Sequence, residues 1–158
     1  MVIAARDLED GTPAGTEICH FREYVQPVEH AVDGGQRKLS AFCTKLTGIT
    51  QEDVNAAVPL GAVLAKFDEW LAEQKLKSAL EQGTALFVAH GGWDLQDQLP
   101  LEAKRKGIAL ETYWNAHADL KVVFSLTCPE ARGSSLQQML EYLGLGPAQG
   151  RLHCGIDE

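Results

Sequence analysis

The sequence predicts an α/β domain in which helices flank a mixed sheet. Three observations carry this prediction: a hairpin near the beginning, a short and wholly apolar strand at residues 85–89, and amphipathic helices around that strand. A hairpin followed by strands that alternate with helices is typical of a layered α/β fold. The chain has 158 residues, a usual length for one domain. We therefore expect residues 1–158 to form a single domain.

The first part of the chain predicts the hairpin and two short helices. Residues 2–5 and 19–25 are strand candidates, and the Gly- and Pro-containing segment 7–15 is the turn between them. Pro27 is expected to end the second strand, because proline cannot donate a hydrogen bond to a neighbouring strand. We expect residues 29–38 to form an exposed loop. Residues 40–46 predict a short helix. Thr50 is placed to cap another, with Glu52 and Asp53 in its first turn.

The second part predicts three further helices and two strands. A core-facing apolar stripe favours a long helix over residues 60–80. Residues 85–89 predict a strand that is buried on both faces. Residues 95–106 predict a helix with Gly107 as its C-cap, and residues 119–124 predict an extended segment. A last helix covers residues 135–143 and stops at Gly144.

Charge and hydropathy argue against a protein with a basic nucleic-acid-binding surface and against a membrane-spanning protein. The net charge of −8 argues against binding nucleic acid through a broad basic surface. Acidic residues that hold metal ions are compatible with that charge, since the metal reverses the local sign. No apolar run is long enough to span a membrane, and the first residues do not resemble a signal peptide. The four cysteines have no CxxC spacing, which argues against structural zinc. Without a secretory signal, we expect reduced thiols and a cytoplasmic or nuclear location.

Two stretches carry residues suited to phosphodiester hydrolysis. Asp94 follows the apolar strand, and ligand sites of α/β folds lie at such strand ends. His153 is a candidate general base, and Asp157 and Glu158 are candidate Mg²⁺ ligands. Simpler interpretations stay open at this point: Asp94 as a helix N-cap, His153 as an inert histidine, and the two final carboxylates as solvated groups.

Longer strings in the sequence resemble one enzyme family. They are YVQPV at 24–28, LSAFCTKLTGIT at 39–50, WDL at 93–95 with LE at 101–102 and RKGI at 105–108, Trp114 with DLK at 119–121, LGL at 143–145, and HCGID at 153–157. These strings are similar to the motifs of the DEDDh-type 3′–5′ exonucleases of the RNase H-like (DnaQ-like) superfamily. Within it, they resemble the Eri-1/histone-mRNA 3′-end branch. The resemblance covers nearly the whole chain and implies an RNase H-like three-layer fold.

The resemblance also implies a chemistry and a set of site residues. Enzymes of this kind use four acidic residues to hold two Mg²⁺ or Mn²⁺ ions, and a histidine serves as general base. By motif position, Asp94 and Glu158 would be metal ligands and His153 the base. Single-stranded 3′ ends of RNA or DNA would be the substrate. Nucleic-acid contacts are predicted at Thr47, Gly48, Ile49 and Trp93.

The chain departs from the family pattern in two places. The family's first motif is Asp-x-Glu on a central strand before the hairpin, and Met1 to Ile3 already match the hairpin itself. Asp7 and Glu9 have the same spacing but lie in the predicted turn. The final acidic position holds Glu158 where the family has Asp. We therefore expect a domain truncated at both ends that lacks the central strand and the last helix. The alternative function is an inactive homologue that binds nucleic acid or protein.

Overall fold

The structure is a computed structural model that describes residues 2–3, 17–27, 38–131 and 135–147. The chain divides into two compact units at residues 74 and 75. Among the described residues, no helix combines the length and the apolar character needed to cross a membrane.

The described part of the first unit contains short strands and three helices. Its elements are β1 (Val2–Ile3), β2 (Glu17–Cys19), β3 (Val25–Gln26), α1 (Ala41–Thr47), α2 (Gln51–Ala56), β4 (Val58–Pro59) and α3 (Leu60–Glu73). β1 and β2 are antiparallel, with Val2 opposite Cys19, and β3 and β4 are parallel. The predicted antiparallel hairpin pairing is confirmed, but the second strand predicted over 19–25 is wrong, since residues 20–24 belong to no strand. β3 includes Gln26, which was predicted to leave the sheet, and ends directly before Pro27.

The apolar stripe of α3 forms the core of the first unit. Phe67 and Trp70 are stacked with ring centroids 5.6 Å apart, and Phe21 contacts Phe67 edge-on at 5.2 Å. Leu71 on the same helix is only 1% exposed. The predicted core-facing role of this stripe is thus confirmed. The long helix predicted over 60–80 is wrong in length, because the chain turns at Lys75, whose φ is +59°.

The second unit is built around two parallel strands. Its elements are α4 (Lys77–Glu81), β5 (Phe87–Ala89), a π-helical turn (Asp94–Gln98), α5 (Leu99–Arg105), a 3₁₀ turn (Thr112–Asn115), β6 (His117–Asp119), α6 (Leu120–Thr127), a 3₁₀ turn (Pro129–Ala131) and α7 (Leu136–Tyr142). Phe87 of β5 stacks on Trp114 at 4.6 Å, and the neighbouring Tyr113 is buried. α7 begins with a capping box between Ser135 and Gln138, and Gly144 follows its end with φ +68°.

Two predictions for the second unit are wrong. Residues 119–124 are predicted as a strand or extended segment, yet α6 begins at Leu120. The Asp119 side chain accepts from the Lys121 N–H and caps that helix, and such a cap outweighs the weak β preference of the β-branched residues that follow. The strand at 85–89 was predicted to be buried on both faces. Val88 is 58% exposed, whereas Phe87 and Ala89, on the opposite face, are half-buried, so within the described residues one face of β5 is open.

Several predictions concern residues outside those that the structure describes. They are the hairpin turn at 7–15 with Asp7 and Glu9, most of the loop at 29–38, and the final residues His153, Asp157 and Glu158.

Candidate active site

The carboxyl ends of β5 and β6 lie level with each other. The two strands are parallel and in register from Phe87 opposite His117 to Ala89 opposite Asp119. Whatever follows Ala89 therefore lies beside Asp119 at one edge of the sheet. This is the position at which parallel α/β sheets place ligand sites.

The turn after β5 leads directly into a helix that begins near Asp94. Gly91 has φ +99°, a conformation that residues with a Cβ rarely adopt. The Gln96 N–H then donates to the Gly92 carbonyl at 2.8 Å, which starts the helix. The first helical turn is π-helical from Asp94 to Gln98, and single π turns inside helices are frequent at functional sites.

Asp94 lies in this first turn with an exposed side chain. The alternative role as N-cap does not fit, because the cap position is held by Trp93, which has helical backbone angles and makes no side-chain capping bond. A carboxylate in the first turn of a helix is stabilised by the positive end of the helix dipole. Asp94 therefore does not cap the helix, and its side chain is exposed to solvent near the end of β5.

Asp119 joins the two strand ends through its carboxylate. Its Oδ1 accepts from the Gly91 N–H at 3.0 Å and from the Lys121 N–H at 2.8 Å. Partial burial tends to raise the pKa of Asp119, but the backbone N–H groups of Lys121, Gly91, Gly92 and Val122 together hold it below the ordinary value.

The space above Gly92 is closely lined by polar atoms. A Cβ added at Gly92 would lie 3.1 Å from Gln96 Oε1, 3.5 Å from His117 Nε2 and 3.6 Å from Asp119 Oδ2. The opposite ring nitrogen of His117, Nδ1, is buried and makes no hydrogen bond within the described residues. Sequence reasoning missed both His117 and the bridging role of Asp119. An Asp immediately before Leu120 and Lys121 is the pattern of a helix N-cap, but it does not indicate the bond to Gly91.

Trp93 lies beside Asp94 and is 61% exposed. Its ring is therefore not part of the hydrophobic core and is accessible to a ligand. Exposed aromatic faces stack with nucleobases regardless of sequence. The position of Trp93 is therefore compatible with the nucleic-acid contact predicted for it.

The other predicted contacts, Thr47 to Ile49, lie in the first unit between α1 and α2. Gly48 caps α1 with φ 76°, and its N–H donates to the Thr44 carbonyl. The Thr47 hydroxyl donates to the Cys43 carbonyl at 2.9 Å and accepts from the Ile49 N–H at 3.2 Å. These local bonds account for the Thr-Gly pair, so its contact with nucleic acid stays a prediction.

The basic run at 104–106 is tied to an acidic residue of its own helix. Arg105 and Lys106 both contact Glu102, at 2.9 and 3.4 Å. The Lys106 side chain is only 14% exposed. These pairs favour a structural role for the two cations over a contact with a phosphate backbone.

Asp94 is the candidate metal ligand among the described residues. Carboxylate oxygens are the ligands that Mg²⁺ prefers, so the chemistry of Asp94 fits such an ion. Within the described ranges, no group of three or more His, Cys, Asp or Glu side chains is arranged to hold a metal. His153 and Glu158, the other predicted site residues, lie outside those ranges, so the structure does not test their proximity to Asp94.

Comparison with known proteins identifies what the chain resembles. A family model described as "Exonuclease" (RNase T) matches residues 2–157. The 3′-5′ exonuclease Snipper of Drosophila melanogaster is 31% identical over 147 residues, which are 87% of this chain and 50% of that protein. Human ERI1 exoribonuclease 3 is 35% identical over 138 residues, again 87% of this chain and 38% of that protein. The chain therefore spans half or less of the length of these relatives.

A solved structure has a similar fold. It is the nuclease domain of 3′hExo, a DEDDh family member, bound to rAMP. The match has a TM-score of 0.69 and 28% sequence identity, and covers 87% of this chain and 64% of that chain. The RNase H-like class predicted from the sequence is confirmed by this likeness.

Proposed function

This chain belongs to the exonuclease family, in the Eri-1 branch of the DEDDh 3′–5′ exonucleases, and we propose that it removes nucleotides from the 3′ end of single-stranded RNA. Asp94, exposed at the carboxyl end of β5, is the observation that carries the proposal. It places a carboxylate where this fold class positions its ligands.

RNA is the proposed substrate because of the relatives. One of them is named an exoribonuclease, and the similar nuclease domain was solved with rAMP. The exposed ring of Trp93 would stack on the base of the last nucleotide. A 2′-hydroxyl distinguishes RNA from DNA at such a site, and contacts to it would decide between the two substrates.

Asp94 would hold a divalent cation, Mg²⁺ or Mn²⁺, together with Glu158. A pair of such ions, when bound, stabilises the charge that develops on the phosphate and lowers the pKa of water. His153 would accept the proton of the attacking water. The water oxygen bonds to phosphorus, the bond from phosphorus to the 3′ oxygen of the preceding nucleotide breaks, and that oxygen takes up a proton. The products are a nucleoside 5′-monophosphate and a chain shortened by one nucleotide.

A non-catalytic role is the second candidate. The observation in its favour is that, among the described residues, no three His, Cys, Asp or Glu side chains are arranged to hold a metal. Such a protein would bind 3′ ends through Trp93 without cleaving them. For either role we propose a cytoplasmic or nuclear location, because Cys43 and Cys128 form no disulfide within the described residues and reduced thiols are usual in those compartments.

The experiment that tests the proposal follows RNA labelled at its 5′ end. With Mn²⁺, a 3′–5′ exonuclease produces a ladder that shortens from the 3′ end, and EDTA abolishes it. DNA of the same sequence, and RNA with one 3′-terminal deoxynucleotide, report the substrate preference. Full-length RNA in the presence of Mn²⁺, with a measurable binding affinity, would overturn hydrolysis in favour of the second candidate.

A further inference from the structure

Asp119 bridges two elements that are far apart in the sequence. The Gly91 N–H, 28 positions away, donates to Oδ1 at 3.0 Å. The same oxygen accepts from Lys121 at the start of α6, at 2.8 Å. A helix cap requires only the second of these bonds. The bond to Gly91 therefore serves something other than α6.

The bond reaches the turn that carries Asp94. Gly91 has a left-handed φ of +99° and lies three positions before Asp94. The neighbouring Gly92 carbonyl accepts from Gln96 and begins the helix that contains Asp94. A displacement of Gly91 would thus move the start of that helix, and the Asp94 carboxylate with it.

We propose that Asp119 is a positioning residue for Asp94: its bond to Gly91 fixes the turn that aims the Asp94 carboxylate. This inference rests on the proposed function, since it presumes that Asp94 binds a divalent cation. Asp119 itself touches neither substrate nor metal in this account. Loss of a partner that orients a metal ligand typically lowers metal affinity by about 10- to 100-fold.

Asp119→Ser separates the bridge from the helix cap. Serine is a good N-cap, so the bond to Lys121 is retained. Its side chain is one atom shorter and has a single oxygen, which cannot also reach the Gly91 N–H. Asp119→Asn serves as the matched control, because its amide Oδ1 has the size and position to accept both bonds and should leave exchange at Gly91 and Lys121 slow.

The test uses the full chain labelled with ¹⁵N and measures two quantities. Hydrogen exchange of the Gly91 and Lys121 amides reports the two bonds of Asp119. Paramagnetic broadening of the signals around Asp94 reports Mn²⁺ binding during a titration. Asp94→Asn serves as the control for Mn²⁺ binding, since it should abolish the broadening without changing exchange at Gly91.

We expect Asp119→Ser to accelerate exchange at Gly91 at least about 10-fold and to leave Lys121 protected. The half-saturating Mn²⁺ concentration should rise about 10-fold. Unchanged exchange at Gly91, or unchanged Mn²⁺ affinity in a folded variant, would overturn the inference. No broadening around Asp94 in the unmutated chain would instead overturn the proposed function, while exchange at Gly91 would still report whether Asp119 holds the turn.

Discussion

The carboxylate of Asp119 accepts a hydrogen bond from the Gly91 N–H at 3.0 Å, which ties the end of β6 to the turn after β5. The register of the two strands brings these residues to the same edge. The turn that precedes the exposed Asp94 is therefore held by a residue on another strand.

The Gly91–Asp119 bond should depend on pH. The pKa of Asp119 is held below its ordinary value in the folded chain. The contribution of its carboxylate to folding stability is therefore fully present above the unfolded pKa of about 3.9. That contribution is lost as the pH falls through the lower pKa of the folded chain. The Gly91 amide proton signal should stay constant from pH 7 to pH 4 and move upfield below that range. Asp119→Ser should abolish this titration. A midpoint above pH 5 in the unmutated chain would contradict the assignment.

Gly91 and Gly92 should differ in their tolerance of alanine. Gly91→Ala places a Cβ at φ +99° and should destabilise the chain by about 1–3 kcal/mol. At Gly92, the nearest atom to an added Cβ is Gln96 Oε1, at 3.1 Å, the end of a flexible exposed side chain that can move. Urea denaturation of both variants checks this, and equal losses of stability would show that φ at Gly91 is not the deciding factor.

The free energy of unfolding should fall when the N-cap of α2 is removed. The Thr50 hydroxyl accepts from the Asp53 N–H, and the Asp53 carboxylate accepts from the Thr50 N–H and hydroxyl. Hydrogen bonds from Thr50, the side chain first and the backbone second, lower the pKa of Asp53. Thr50→Ala should cost about 1 kcal/mol in unfolding free energy. Thr50→Ser retains the hydroxyl and should keep most of the stability and the low pKa, measurable by NMR titration of Asp53.

Trp93 should contribute to RNA affinity without contributing to stability, since its side chain is 61% exposed. Stacking on one base is worth about 1–3 kcal/mol, so Trp93→Ala should weaken RNA binding about fivefold or more. Fluorescence anisotropy with a labelled oligonucleotide in EDTA measures binding without cleavage. Trp93→Phe should restore part of the affinity. Leu101→Ala, at a residue that is 57% exposed, is the matched control and should have no effect.

Sequence periodicity predicted the helices of this fold better than its strands. The stripe of α3 and the caps at Thr50 and Ser135 were visible because helices carry local signals at fixed spacings. The strands β3 and β6 are two and three residues long, too short for an alternating pattern to appear. The extended segment predicted over 119–124 is wrong, because the side chain of Asp119 caps a helix that begins at Leu120.

The candidate site was predictable only in part. Asp94 could be recognised because it follows an apolar strand, and strand ends are where α/β folds place ligands. The bond of Asp119 to Gly91 could not be, because it depends on the register between two strands that no local pattern specifies. Exposure of Val88 also depends on which elements pack on its face of β5, a property of the tertiary structure.

The most direct test of the account measures nucleotide release from single-stranded RNA labelled at its 3′ end, with Mn²⁺. Asp94→Asn is compared with Asp97→Asn, a second exposed acid in the same π-helical turn. The account predicts Mn²⁺-dependent release of a labelled nucleoside 5′-monophosphate, lost by several orders of magnitude in Asp94→Asn and unchanged in Asp97→Asn. Release that persists in Asp94→Asn, or no release from folded protein, would contradict the role assigned to Asp94.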